Sequence, residues 1–454
     1  MAQAPTSEPV IKNSSYSREQ LEAVVGDILA EASAQGASGS EAAVSLESGL
    51  SVTARMGEVE TVEHNLDKGL GVTVYFGQRK GSASTSDFSS AAIRDTVAAA
   101  CRIARYTAED DYAGLADVEL MAREIPDLDL VHPWGLGPEQ AIEIALECEG
   151  AARCFDERIT NSEGASVNSH QSFRVYGNSH NFVGSYGGTR HSLSCAVVGQ
   201  DGDSMQRDYW YTSARSASGL EAPDIVGRKA AERTVKRLGA RKIKTCQVPV
   251  LFSAEVASGL LSSFFSAIRG GAQYRRSSFL LDSLGQQIFP EFITIDERPH
   301  LPRGSNSAPF DREGVATQAR TFIQDGYLQS YVLDSYSARR LDMQTTGNAG
   351  GIRNAFITTG DKTLHALCRE MDSGLLVTEM MGQGANMVTG DYSRGAAGFW
   401  VENGEIQYPV EELTVAGNLK QMFLDIVAVG NDVDVRGNIR TGSILLSNMT
   451  LAGE

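Results

Sequence analysis

Residues 247–270 read QVPVLFSAEVASGLLSSFFSAIRG, and this stretch decides the character of the C-terminal half of the chain. Its first part, Val248–Phe252, is a short continuous apolar run, which is typical of a buried strand. Ser253 stands where it can cap a following helix. Apolar residues then recur at the helical period and predict one strongly apolar helix. The stripe on its buried face is formed by Val256, Leu260, Phe264 and Ile268.

Downstream of this helix, short apolar runs alternate with Gly, Asn and Asp, which is typical of short strands joined by turns. The predicted strands are Phe292–Ile295, Gly326–Val332, Gly374–Glu379, Gly398–Val401 and Ile444–Leu446. One more helix fits Leu419–Val427. Residues 243–454 are therefore predicted to form a β-rich C-terminal domain.

Upstream, the first 125 residues predict an α/β-layer domain with an antiparallel or mixed sheet. Ser17 and Gln20 form a capping box for a first helix, and Gly36 is placed to end it. A later helix fits Ser90–Tyr106. Between them two hairpins are predicted: Ala42–Leu46 with Ser51–Met56, turning at Ser48-Gly49, and Gly71–Phe76 with Ser82–Ser86, turning at Gln78–Gly81.

Residues 126–242 form a central region between these two parts. A long acidic connection over residues 107–136 leads into it, and Pro138 opens a helix that runs to Arg153. Short alternating strands are predicted from Ile159 to Tyr211, and Pro223 opens another helix that ends near Leu238. Helices and strands in this order predict an α+β protein.

The charge of the chain excludes some classes of partner. It has 57 acidic and 40 basic residues and a formal net charge of −17. Such a surface repels phosphate backbones and anionic lipids, so we expect neither nucleic acid nor a membrane as partner. Residues 1–17 do not resemble a secretory signal, and six scattered cysteines predict reduced, buried thiols. These features indicate a cytoplasmic protein.

The residues that usually carry catalysis form no recognisable motif. No two of the seven histidines lie three to five residues apart, which is the spacing that places two imidazoles on neighbouring helix turns. His170, His180 and His191 fall in consecutive strands or turns, where hydrogen bonding is favoured over a metal site. A nucleophile elbow and a phosphate-binding loop are also missing.

Residues Gly390–Gly404 combine glycines, aromatic residues and the charged pair Asp391 and Arg394. Asn403-Gly404 suits a type I′ hairpin turn. The stretch could form a groove that binds an extended peptide by strand addition. A tightly turned hairpin explains the same residues and is favoured. We expect Asp391 and Arg394 to form an ion pair that holds the hairpin.

At these residues the sequence resembles the PmbA branch of the TldD/PmbA metallopeptidase family. Several other runs agree with the family pattern in order and spacing from about residue 15 to the end of the chain. They are Tyr274–Gly285, Pro309–Val315, Tyr336–Leu341, Thr345–Gly351, Gln407–Val410 and Val429–Asp432.

The resemblance implies a cytoplasmic heterodimer of a zinc-bearing TldD-type subunit and a PmbA (TldE-type) subunit. Together they cleave unfolded or leader peptides, including antitoxins and precursors of peptide antibiotics. The zinc-bearing subunit holds its metal with a His-Glu-x-x-x-His motif and a distant cysteine, and the glutamate serves as general base.

In this chain the motif positions, set by the landmarks Leu260-Leu261 and Arg275-Arg276, hold Ser262, Ser263 and Ala267. Hydroxyls and a methyl group do not bind zinc with the affinity of imidazole. The resemblance therefore implies no catalytic residue, metal ligand or cofactor in this subunit, and zinc in its TldD-type partner. Arg275, Arg276, Asp391 and Arg394 remain candidates for a peptide groove or for structural roles.

Two other functions stay open at this point. The chain could be a stand-alone peptide-binding or modulator protein without peptidase activity. It could also be a hydrolase that uses Ser393 with Asp391 and a distant histidine. When isolated, the subunit could form a homodimer through a surface related to that of the heterodimer.

Overall fold

The protein, seen in a computed structural model that describes residues 10–11 and 14–453, is of mixed α+β class, as predicted. Its helices are α1 Arg18–Ala34, α2 Ser90–Tyr106, α3 Pro138–Arg153, α4 Pro223–Arg237, α5 Ala254–Ala267, α6 Gly270–Tyr274, α7 Ser335–Arg340, α8 Leu364–Met371 and α9 Leu419–Leu424. Within the described residues, every helix is too short or too polar to cross a bilayer.

The N-terminal and central regions share one antiparallel sheet with the order β3-β2-β1-β4-β5-β6. Its strands are β1 Gly39–Arg55, β2 Glu58–Phe76, β3 Arg79–Thr85, β4 Ile159–Asn178, β5 Phe182–Asp201 and β6 Ser204–Ala214. The pairing of β1 with β4 joins residues on both sides of position 125, where the sequence predicted a boundary.

The predicted turn at Ser48-Gly49 is wrong, because β1 runs straight through these residues and turns only at Met56-Gly57. Gly49 instead marks a close approach of neighbouring strands. A Cβ atom at Gly49 would overlap the side chains of Asn65 on β2 and His170 on β4. A glycine inside a strand often has this cause rather than a turn.

Two other strand predictions also need correction. The second hairpin turns at Gly77-Gln78, and β3 begins at Arg79. The region from Ile159 to Tyr211 holds two strands of 20 residues, β4 and β5, and most of β6, instead of several short strands. The Ser, Gly and Asn residues in this region are typical of turns. In the structure their backbone groups instead form hydrogen bonds with the neighbouring long strand.

Helices cover the sheet in two pairs. The helix α1 begins with the predicted capping box of Ser17 and Gln20 and packs with α2 on β1 and β2. The helices α3 and α4 pack over β4 and β5 and cross closely at Gly227. The predicted limits of α2 and α3 are confirmed.

The C-terminal region is rich in strands and contains two sheets. One has the order β14-β13-β12-β7-β17-β15, and an additional pairing of β14 with β17 closes five of its strands into a ring. The smaller sheet has the order β10-β9-β8-β11-β16. The strands are β7 Cys246–Phe252, β8 Ile295–Glu297, β9 Arg320–Gln324, β10 Tyr327–Leu328, β11 Ala355–Ile357, β12 Gly374–Met381, β13 Asp391–Glu402, β14 Glu405–Asn418, β15 Ile426–Val429, β16 Ile439–Arg440 and β17 Ile444–Ala452.

Several C-terminal predictions differ in detail from the structure. The helix predicted over Leu419–Val427 ends at Leu424, and its last residues enter β15 because they pair with β17. The strand predicted over Phe292–Ile295 begins only at Ile295. The short helices α6, α7 and α8 were not predicted.

Of the six cysteines, Cys154 is exposed and Cys246 is half-buried, so not all are buried as expected.

Substitution of Gly227 by alanine tests the close crossing of α3 and α4. A Cβ atom there would lie deep inside van der Waals contact with the Cys148 carbonyl oxygen. We expect Gly227→Ala to lower the free energy of unfolding by about 2 kcal/mol, as overpacked sites do. Chemical denaturation measures this change.

Gly150→Ala is the matched control, because Gly150 lies on α3 and a Cβ atom there meets nothing within 4 Å. This variant should gain up to about 1 kcal/mol from the helix propensity of alanine. Equal effects of the two substitutions would contradict the close crossing.

Candidate functional site

The apolar helix α5 follows β7 directly and occupies the centre of the C-terminal core. Ser253 is its N-cap residue, but the Ser253 side chain makes no capping bond, contrary to the prediction. The Ala254 amide instead donates to the Ser443 hydroxyl at 3.1 Å. That hydroxyl donates to Asp432 at 2.6 Å, and the Ser443 amide also donates to Asp432. The family motif that ends in Asp432 therefore anchors the start of α5.

The two faces of α5 differ sharply. Leu260, Leu261, Phe264 and Phe265 are buried in the core. Ser262 and Ser266 face solvent. The Ser266 hydroxyl donates a hydrogen bond to the Ser262 carbonyl, one helix turn earlier, at 2.8 Å. This side of α5 therefore presents hydroxyl groups that bond back to the helix.

The three positions that the resemblance matches to the zinc motif differ in burial. Ser262 is exposed, and the half-buried Ser263 donates to the Gly259 carbonyl at 3.3 Å. Ala267 is completely buried, and its carbonyl accepts bonds from Gln273 and Ser278. At the position where the resemblance predicts a second imidazole in a zinc-bearing subunit, this chain therefore has a buried methyl group.

Of the three histidines considered as metal ligands, His191 has other contacts. The His191 ring bonds with the Ser169 hydroxyl at 3.0 Å and with the His132 carbonyl at 2.9 Å, and burial lowers the pKa of His191. Among the residues that the structure describes, no three His, Cys, Asp or Glu side chains are grouped so that they could hold a metal ion.

The glycine-rich stretch forms a tight hairpin of β13 and β14. Asn403 and Gly404 both have positive φ angles, 53° and 75°, which confirms the predicted type I′ turn. Small residues allow close neighbours: a Cβ atom at Gly398 would overlap the Leu376 carbonyl of β12. The glycines therefore serve the packing of β13 between its two neighbouring strands.

The expected ion pair of Asp391 and Arg394 is wrong. The two residues lie three apart on β13, and an odd separation places side chains on opposite faces of a strand. Asp391 accepts hydrogen bonds from the Thr389 hydroxyl at 2.6 Å and from Asn418 at 3.3 Å. Arg394 donates to the Gly382 carbonyl at 3.1 Å. Within the described residues, the Ser393 hydroxyl has no bond to Asp391 or to a histidine.

Arg275 and Arg276 are exposed just after α6. Arg275 donates to the Tyr274 hydroxyl at 2.9 Å, and Arg276 forms a surface ion pair with Asp282. A bond from the Phe279 amide to the Met387 carbonyl joins this segment to the loop before β13. The structure thus brings the two candidate segments together, although none of the four charged side chains bonds to another.

Comparison with known proteins assigns the chain to a family. Models of the PmbA/TldA metallopeptidase match its first domain over residues 41–104, its central domain over 131–238 and its C-terminal domain over 245–453. Metalloprotease PmbA of Escherichia coli O157:H7 is 53% identical over 445 residues, 98% of this chain and 99% of that protein. This chain belongs to the PmbA/TldA metallopeptidase family. The resemblance to the TldD/PmbA family that the motifs indicated is confirmed.

Solved structures agree with the assignment to the PmbA/TldA family. One from Bacteroides thetaiotaomicron, described as a candidate modulator of DNA gyrase, has a TM-score of 0.91 at 29% identity and covers 96% of this chain and 100% of that one. TldE from Thermococcus kodakarensis has the same fold, with a TM-score of 0.84 at 20% identity over 95% of this chain and 100% of that one.

The family motifs also carry buried carboxylates whose role the sequence did not reveal. Asp311 accepts bonds from the amides of Glu313, Val315 and Ala349 at 2.8–3.0 Å, and so ties together the two runs Pro309–Val315 and Thr345–Gly351. Burial raises the pKa of Asp311 to about 6. Burial, with the nearby charge of Asp311, raises the pKa of Glu313 to about 7. In the sequence, these carboxylates are marked only by their position just before Gly314 in the run Pro309–Val315.

Restoring two residues of the zinc motif tests whether α5 can still bind metal. We expect Ser262→His with Ser263→Glu to hold no stoichiometric zinc, because position 267 is buried and lacks a ligand and the supporting residues are missing. Elemental analysis after dialysis measures this, with Ser262→Ala and Ser263→Ala as the matched control. One zinc per chain in the His–Glu variant alone would contradict the account.

The raised pKa of Glu313 predicts how stability depends on pH. Between pH 4.5 and 7 the unfolded chain loses this proton while the folded chain keeps it, so stability falls as pH rises through this window and then levels off. Glu313→Gln should remove this part of the fall, about 3 kcal/mol. Denaturation at several pH values measures it. The exposed Glu291→Gln should behave as wild type, and a parallel curve for Glu313→Gln would contradict the prediction.

Proposed function

We propose that this chain is the zinc-free, PmbA/TldE-type subunit of a cytoplasmic two-subunit metallopeptidase. A TldD-type partner would hold the zinc and supply the general base. The assembly would cleave unfolded or leader peptides, and this subunit would complete the path along which the peptide binds. No catalytic step is assigned to this chain.

The observation that carries the proposal is the chemistry of α5. Where a zinc-bearing relative would present two histidines and a glutamate, this helix has an exposed serine, a half-buried serine and a fully buried alanine. Neither hydroxyls nor a methyl group are protein zinc ligands. The PmbA relative is named a metalloprotease, and a zinc ion in the other subunit reconciles that name with this helix.

The alternative of a stand-alone modulator has one observation in its favour. A solved structure of the same fold, 29% identical to this chain, is described as a candidate modulator of DNA gyrase. This alternative requires no partner subunit and no peptidase activity. The two proposals therefore predict different results when this chain is mixed with a zinc-bearing relative.

We expect hydrolysis of an unfolded peptide only when this chain and a TldD-type relative are mixed, because the first would lack zinc and the second would lack part of the peptide path. A chelator should abolish the activity of the mixture, and added zinc should restore it. Fluorogenic peptide cleavage by each chain and by the mixture measures this.

Three outcomes would count against the proposal. Turnover by this chain alone that survives chelation would favour a hydrolase of another type. Full activity of the zinc-bearing relative without this chain would make the second subunit unnecessary. Peptide binding by this chain, with no gain of activity on mixing, would favour the stand-alone modulator.

A further inference from the structure

A cavity of about 530 Å³ lies between the N-terminal sheet and the C-terminal region, and arginines dominate its lining. We call it the arginine pocket. It is defined by Arg190, Arg215, Arg303, Arg436 and Arg440, together with serine hydroxyls. No aspartate or glutamate lines it. In a chain with a net charge of −17, such a concentration of positive charge is a local exception.

Two of the five arginines form ion pairs with carboxylates that do not line the arginine pocket. Arg303 pairs with Asp129 at 2.5 Å. Arg436 pairs with Asp434 at 2.9 Å and with Glu255 at 3.5 Å. The charges of Arg303 and Arg436 are thus balanced by ion pairs. The charges of the other three arginines are not balanced in this way.

The other three have no carboxylate partner among the described residues. Arg215 donates to the carbonyls of Thr189 and Ser305 at 3.0 and 2.8 Å, which fixes its guanidinium across the junction of the two regions. Burial and the nearby charge of Arg190 lower the pKa of Arg215. The carbonyl bonds orient Arg215 but do not cancel its charge.

Arg190 and Arg440 are the least satisfied groups of the arginine pocket. Arg190 donates from Nε to the Ser213 hydroxyl at 3.1 Å, and no ion pair holds its guanidinium. The Nε atom of Arg440 is buried without a hydrogen-bond partner, while its guanidinium lies 5.2 Å from the Phe356 ring centre. Burial lowers the pKa of Arg440 as well. Arg440 is half-buried and Arg190 is exposed, and neither has a carboxylate partner among the described residues, so a bound anion would accept charge-assisted hydrogen bonds from both.

We propose that the arginine pocket binds the carboxylate of a peptide, either a free C-terminus or an acidic side chain. A planar guanidinium fork matches a carboxylate and can bind it in a bidentate manner. The volume admits a few peptide atoms around the charged group, and the serine hydroxyls can donate further bonds. The choice of a peptide as ligand rests on the proposed function, whereas the anion preference rests on the lining residues.

The test is calorimetric titration of the purified single chain, without partner or zinc. The probes are acetyl-trialanine with a free carboxylate, the same peptide as its amide, an acetylated Ala-Glu-Ala amide, and inorganic phosphate. We expect the free acid, the glutamate peptide or both to bind, and the neutral amide not to bind. Comparison of the two acidic probes tells a chain end from a side chain. Affinity should fall as salt rises.

Arg190→Gln with Arg440→Gln should weaken binding of the carboxylate at least tenfold, since two donors of the anion site are lost. Arg94→Gln with Arg102→Gln is the matched control, because both residues are exposed on α2 and the change of net charge is equal. The exposed Arg190→Gln alone, which should fold normally, is expected to weaken binding severalfold.

Three results would overturn the proposal. They are wild-type affinity in the double variant, equal binding of the neutral amide, and binding of phosphate as tight as that of every peptide. Because the titration uses no zinc and no second subunit, it can succeed or fail independently of the peptidase assay of the mixture.

Discussion

Burial of one face of α5 is the interaction on which the rest of the C-terminal region depends. Phe264 packs edge-on against Phe289 at 5.2 Å and against Phe423 at 6.1 Å, and Phe265 packs against Phe322 at 5.5 Å. Each such ring contributes roughly 1.5–3 kcal/mol when it is removed from water. The ring of strands, the smaller sheet and α9 all supply residues to this core.

The same burial limits the chemistry that α5 can support. A metal site on a helix needs ligands on one accessible face and further groups that orient them. Here the hydrocarbon face is turned inward and the accessible face carries hydroxyls that bond to backbone carbonyls. The bonds from Ala254 to Ser443 and from Ser443 to Asp432 hold the start of the helix in place. A helix held in this way serves packing, and under the proposed function the peptidase chemistry comes from the zinc-bearing subunit.

Arginines join the C-terminal region to the rest of the molecule. Arg339 donates to the carbonyls of Tyr112 and Gly114 at 3.2 and 3.1 Å, and Arg215 donates across the second junction to Ser305. Arg339 is neutralised in part by Asp117 at 3.7 Å, whereas Arg215 is not paired with a carboxylate. Because the charge of Arg215 is not neutralised, we interpret the junction at the arginine pocket as a ligand site and the junction at Arg339 as a structural contact.

Local signals made part of this structure predictable, and long-range pairing hid the rest. The capping box at Ser17, the limits of α2 and the turn at Asn403-Gly404 depend on a few neighbouring residues, so the sequence revealed them. The continuity of β1 through Gly49 depends on β2 and β4, which are distant in sequence. The cap of α5 comes from Ser443, and the arginine pocket joins residues 190 to 440. The hydrophobic periodicity of a short stretch of sequence carries no information about contacts between such distant residues.

Equilibrium dialysis of the unmodified single chain against buffered zinc tests the central claim most directly. Because one face of α5 carries hydroxyls and the other hydrocarbon, we expect no zinc to bind with a dissociation constant below about 1 μM. A protein site with three or four ligands binds zinc far more tightly. One tightly held zinc ion per chain, lost when position 262 or 263 is changed to alanine, would contradict the account.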